Sequence, residues 1–157
     1  MRRLENSYFS LAFNDLQYLA MYREDDENSY NRVTIEAQQV VEKILKGIVE
    51  ECEGIAYDDK VKLLGTHNLR KLGETVNKYC NVNISITNLA FLKDFYFDAR
   101  YPGDNFILAT KEDRDLCLKI TFDVINKVKH LCKEVPDSLQ ELQNKLCPSD
   151  LQQIKSF

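Results

Sequence analysis

Apolar residues recur along most of this chain at helical spacing, and polar breaks divide the pattern into segments. From about Leu4 to Arg23, Tyr8, Ala12, Leu16 and Leu19 fall at steps of four, four and three, on one helical face. The acidic stretch Glu24-Asp25-Asp26-Glu27-Asn28-Ser29 follows. Negative charge opposes the dipole at a helix C-terminus, so this helix is expected to end loosely. From about Asn31 to Cys52 the pattern is strongest, with Val33, Ala37, Val40, Val41, Ile44, Leu45, Ile48 and Val49 in one apolar stripe. The stripe is wider than a single partner helix needs, which predicts a central position. Glu36, Gln39, Glu42, Lys43, Lys46 and Glu50 fall off it and are expected at its solvated flank. Glu42 and Lys46 stand in the favourable i,i+4 order, worth a few tenths of a kcal/mol.

Gly54 to Gly65 has no long period and reads as a connection with a small apolar plug at Val61, Leu63 and Leu64. Thr66 is expected to cap a third helix whose inner face is Leu69, Leu72, Val76 and Tyr79. A fourth helix is predicted from about Ile84 to Ala99, with Ile84, Leu89, Leu92, Phe95, Tyr96 and Ala99 inward. Pro102 stops it, because a proline drives the preceding residue out of the helical region. After the loop from Gly103 to Ala109, Thr110 and Asp113 have capping-box spacing. The helix they open turns Leu116, Cys117, Ile120, Val124, Val128 and Leu131 inward, with Asp115–Lys119 and Asp123–Lys127 as expected surface pairs. Val135-Pro136 ends it, and Leu139, Leu142 and Leu146 suggest a short closing helix before Pro148. The fold class expected is all-α, an antiparallel up-and-down bundle of five or six helices.

Composition narrows the function. The 157 residues are room for one domain, expected as a bundle over residues 1–133 and a C-terminal extension over 134–157 in the same domain. Five glycines and three prolines are too few for the many tight turns of a sandwich or barrel. A net charge of −4 argues against a generally basic nucleic-acid binder, since phosphate affinity needs concentrated Lys and Arg. The five cysteines, Cys52, Cys80, Cys117, Cys132 and Cys147, form no C-x-x-C pair, and two histidines add no zinc-ligand spacing. They read as packing residues of a reducing compartment, and neither metal nor cofactor is expected. No signal-peptide run follows Met1 and no 18-residue apolar stretch occurs, so a cytoplasmic protein with no membrane association is expected.

Three short motifs carry a family resemblance. Ala37 to Lys46 reads A-Q-Q-V-V-E-K-I-L-K, similar to an A-x-Q-x-x-E-K-x-L-K pattern through Ala37, Gln39, Glu42, Lys43, Leu45 and Lys46. Thr66-His67-Asn68-Leu69 is similar to T-H-D-L, with Asn in place of Asp. Ala99-Arg100-Tyr101-Pro102 matches A-R-Y-P, followed by Thr110-x-Glu112-Asp113 and the last long helix. In this order, from about Leu11 to Leu131, they resemble the HEPN family (higher eukaryote and prokaryote nucleotide-binding domain). The resemblance implies a helical bundle that generally forms homodimers. Many members stand beside a minimal nucleotidyltransferase in toxin–antitoxin pairs, and many others are metal-independent ribonucleases. The ribonuclease branch carries an Arg and a His separated by a short spacer. Here no His follows Arg100 in range, and neither His67 nor His130 has an Arg at the right distance upstream.

Four residues are candidates for ligand binding. Arg100, at a helix C-terminus beside a proline turn, is either a phosphate clamp through its planar guanidinium or a capping arginine that fixes the turn. Tyr101 reads as architectural, its ring filling the turn while its hydroxyl reaches a partner. His67, in the first turn of a helix, is either a ligand contact or a local capping group. Lys43 reads from the pattern alone as a solvated flank and gains functional weight only from the resemblance. The four are expected to share a groove that takes a phosphate-bearing ligand. Lys127, Lys129, His130 and Lys133 form a basic cluster that the helix dipole and solubility explain as well as a nucleic-acid patch would. No nucleophile–base pair, Walker loop or paired acid–base set is present, so no catalytic residue is assigned. Three function classes stay open. They are a nucleotide- or RNA-binding module with a nucleotidyltransferase partner, a ribonuclease with an unusual site, and a structural dimerisation or interaction domain.

Overall fold

Seven α-helices organise the residues that the computed structural model describes, 7–22, 27–98 and 108–148. They are α1 (Tyr8–Tyr22), α2 (Glu27–Glu51), α3 (Tyr57–Leu64), α4 (Leu69–Cys80), α5 (Ile86–Asp98), α6 (Lys111–Val128) and α7 (Leu139–Leu146), with a 3-10 turn at Lys129–Leu131. The all-helical bundle expected from periodicity is the fold found. Its centre is α2, which packs against α1, α3, α4, α5 and α6. Val40, Val41, Ile44, Leu45, Ile48 and Val49 are all buried there. On α1 the buried face is wider than expected, since Phe9 and Phe13 join Ala12, Leu16 and Leu19. Of the expected acidic break, residues 24–26 lie outside the described residues, while 27–29 form the first turn of α2 instead of a loop.

The stretch expected as a connection holds two turns of helix, α3. Its only buried residue is Leu63, while Tyr57 and Val61 are exposed. A helix this short shows little periodicity, which hides it in the sequence. Its effect on topology is large. The start of α4 lies against the middle of α2, where His67 meets Glu42, and the end of α4 lies against the end of α2, where Cys80 meets Cys52. Thus α4 runs parallel to α2, and α3 supplies the return between them. The same holds for α6. Its leading residue Ala109 donates a backbone N–H to the Asn31 side chain, and Lys133 beyond its end pairs with Glu51 at 2.9 Å.

Local chemistry sets the helix ends. Asn68, rather than the expected Thr66, caps α4 by accepting the Lys71 N–H at 3.3 Å. Thr66 Oγ1 instead accepts the Asn68 N–H at 3.2 Å, one step earlier in the same turn. At the other end Asn81 takes the left-handed conformation that asparagine tolerates, with φ 53°. Asn77 then both donates to and accepts from the backbone of Ile84, at 3.0 and 2.8 Å, clamping the α4–α5 link. Thr110 and Asp113 form the expected capping box of α6. The short closing helix is found as α7, which packs on α1 and buries Leu139 and Leu146 in the common core. Two glycines permit close helix approach. A Cβ on Gly47 would lie 2.6 Å from the Phe9 ring, and one on Gly73 would lie 2.1 Å from a Leu89 methyl.

Candidate functional site

Thr34, Gln38, Glu42 and Lys46 recur every four residues on α2, and all four are buried. A step of four overshoots the helical turn by roughly 40°, so the row winds slowly around α2 beside the apolar stripe. This corrects the expectation that Glu42 and Lys46 are solvated. Helices on both sides cover the flank where they stand, because α2 is surrounded. Burial of charge demands partners. Glu42 Oε2 accepts from Lys46 Nζ at 3.4 Å, and Gln38 Nε2 donates to Oε1 at 3.4 Å. Gln39 Nε2 donates to Gln38 Oε1 at 2.8 Å, extending the chain outward.

The remaining contact to Glu42 comes from His67, whose Nδ1 lies 3.0 Å from Oε1. A carboxylate can only accept, so Nδ1 donates in this contact. Lys46 and Glu42 are 7% and 6% exposed at their side chains, whereas His67 is 47% exposed. The result is an imidazole at the surface, oriented from beneath by a buried ion pair. The backbone of α4 begins immediately after it, with a helix N-terminus that carries partial positive charge.

Lys43 takes a different direction. Its ammonium pairs with Asp15 of α1, with both side chains about a quarter exposed. Asp15 also lines a cleft of about 580 Å³ between α1 and the first turns of α2, with Asn14, Tyr18, Ser29, Arg32 and Glu36. So His67 is joined to Glu42 and Lys43 to Asp15, on separate sides of α2. Arg100 and Tyr101 lie outside the described residues.

Sequence reasoning missed Arg114. Its side chain is fully buried, donates to Asp115 Oδ1 from Nε at 3.0 Å and from Nη2 at 2.9 Å, and stacks over Tyr30 with 5.0 Å to the ring centroid. Asp115 is therefore buried and paired with Arg114, where a surface position was expected. The available signal was register, since Arg114 precedes Cys117, Leu118 and Thr121 on the inner face of α6. Tyr30 and Arg114 both stand near the starts of their helices. His67 meets α2 about three turns further along, at Glu42, so Arg114 and His67 stand at different levels of the bundle.

The family model of the HEPN domain matches residues 6–131. The chain belongs to the HEPN domain family. No curated protein and no solved structure matches it. The HEPN motifs now have physical content. The E-K-x-L-K segment and the T-H-N-L segment are the two halves of one contact, Glu42 to His67. Asn68 in place of the usual Asp keeps the helix cap, because both side chains present an acceptor to the first turn. Within this HEPN chain no described helix is long and apolar enough to cross a membrane.

Proposed function

We propose that this HEPN chain is a homodimeric module that binds a nucleotide or an RNA end, as partner to a minimal nucleotidyltransferase in a toxin–antitoxin pair. Membership of the family supports a nucleotide- or RNA-related role in general. The observation that carries the finer reading is the Glu42–His67 contact, a buried carboxylate aiming a half-exposed imidazole beside a helix N-terminus. Such an arrangement suits an anion, because the helix N-terminus carries partial positive charge and a doubly protonated imidazole, its Nδ1 held by Glu42, would donate from Nε2 to a phosphate oxygen. Arg100 and Tyr101 are proposed as the clamp across the groove, since the last turn of α5 and the start of α4 stand at the same end of two consecutive antiparallel helices. Lys43 would join the set by leaving Asp15 and reaching around α2 toward His67.

Dimerisation is proposed through α5. Phe91 is only partly buried, packs edge-on against Phe95 at 5.3 Å, and lines a shallow cleft with Leu116 and Ile120 of α6. Apolar surface of this kind suits a self-complementary interface. A monomer mass near 18.3 kDa by light scattering at micromolar concentration would refute it.

Calorimetry with nucleotides and short RNA tests the site, using the wild type, Arg100→Ala and His67→Ala. Binding that weakens at least tenfold in either variant, and that falls as salt rises, is expected. Equal binding by all three proteins, or none by any, would favour the structural interaction domain instead.

A further inference from the structure

The C-terminal ends of α2 and α4 bring two cysteines together that the sequence separates widely. Cys80 is the last residue of α4, Cys52 directly follows α2, and Cys52 is close enough to act on the Cys80 thiol. The packing around them agrees. A Cβ placed on Gly54 would lie 4.0 Å from Cys52 Sγ and 3.5 Å from the ring of Tyr79, the residue beside Cys80. Both cysteines are partly buried, so small oxidants reach them, and both pack on the edge of the common core. Each is fixed at the end of a helix, which limits the entropy lost on joining them.

We propose that Cys52 and Cys80 are a redox-sensitive pair that forms a reversible intramolecular disulfide, with hydrogen peroxide as the oxidant. The Cys52 thiolate attacks one peroxide oxygen, giving a sulfenic acid and releasing hydroxide, which takes up a proton to become water. The Cys80 thiolate then attacks the Cys52 sulfur and expels the sulfenic oxygen as a second water. Two thiols are oxidised and one peroxide is reduced to two waters. A dithiol reductant reverses the bridge by exchange. Burial, and then the neighbouring Cys52, hold Cys80 above the ordinary thiol range, so Cys80 is the poorer first nucleophile of the two. The other cysteines are internal controls. Cys117 and Cys147 are buried, and burial pushes the Cys132 thiol up to about 12.

The bridge would close the segment holding α3, His67 and the start of α4, so it would brace the Glu42–His67 contact from the opposite end of α4. The test uses the full chain, oxidised with peroxide, alkylated and digested without reduction. Mass spectrometry is expected to find a Cys52–Cys80 peptide pair lighter by two hydrogens, lost in Cys52→Ser and in Cys80→Ser and reversed by dithiothreitol. Thermal unfolding of the oxidised wild type is expected to shift up by about 5–10 °C, from the size of the loop closed. Two outcomes overturn the proposal. One is alkylation of both residues as free thiols, or bridging to other cysteines, after oxidation. The other is an unchanged or lower unfolding temperature, which would mean that the bundle must strain to form the bond.

Discussion

The central helix meets its two neighbours by opposite means. Against α1, α2 offers Gly47, whose missing side chain admits the Phe9 ring, and an ion pair near the surface between Lys43 and Asp15. Against α4 it offers a buried carboxylate and a buried ammonium, with a histidine closing the contact. The first interface is held by burial of apolar area and tolerates the loss of its charges. The second stakes stability on electrical completeness, because a buried charge without its partner is costly while a complete pair gains little over apolar side chains. Stability alone does not explain why α2 keeps charges there. Under the proposed function, holding His67 in position does.

The largest effect tests the second interface. Glu42→Gln strands Lys46 and is expected to cost about 3–5 kcal/mol, read as a lower midpoint in urea. Glu42→Met combined with Lys46→Met is expected to recover most of that loss, and to release His67 so that ligand binding does not recover with stability. Recovery of both would show that the pair serves packing only.

Gly47→Ala and Gly73→Ala sharpen the comparison at a smaller scale. Each forces a buried neighbour to move, Phe9 or Leu89, and each is expected to cost about 1–3 kcal/mol in thermal unfolding. Lys43→Met tests the α1 side and is expected to cost about 1 kcal/mol or less, shrinking as salt rises. A loss of several kcal/mol would place Lys43 in the same class as Lys46. The smallest expected effect is at Asp123, where burial raises the carboxyl against the lowering influence of Lys119 and Lys127. The folded state thus holds this proton more tightly than the unfolded chain does. The stability it contributes in acid is lost as pH rises through the carboxylate range. Asp123→Asn is expected to be stabilising at neutral pH by about 0.5 kcal/mol or less, with no gain in acid.

Much of the fold was legible because long helices repeat their apolar residues. The α2 stripe, the Thr110–Asp113 capping box and the α7 leucines were each found where the pattern put them. The site was less legible. Glu42 and Lys46 form a good surface pair by spacing, and only the number of helices around α2 turns that flank inward. Arg114 looked like one charge among many in Lys-Glu-Asp-Arg-Asp, although its register already placed it on the inner face.

By itself the sequence determined the helical class, the central helix and the motifs of the HEPN family, since each depends on residues close together in the chain. The tertiary structure decided how distant residues meet. The turns of α3 let α4 run parallel to α2, which carries His67 to Glu42 at one end and Cys80 to Cys52 at the other. The reason is that helical periodicity records which face of a helix is buried, while the direction in which a short segment returns the chain depends on contacts made across the whole bundle.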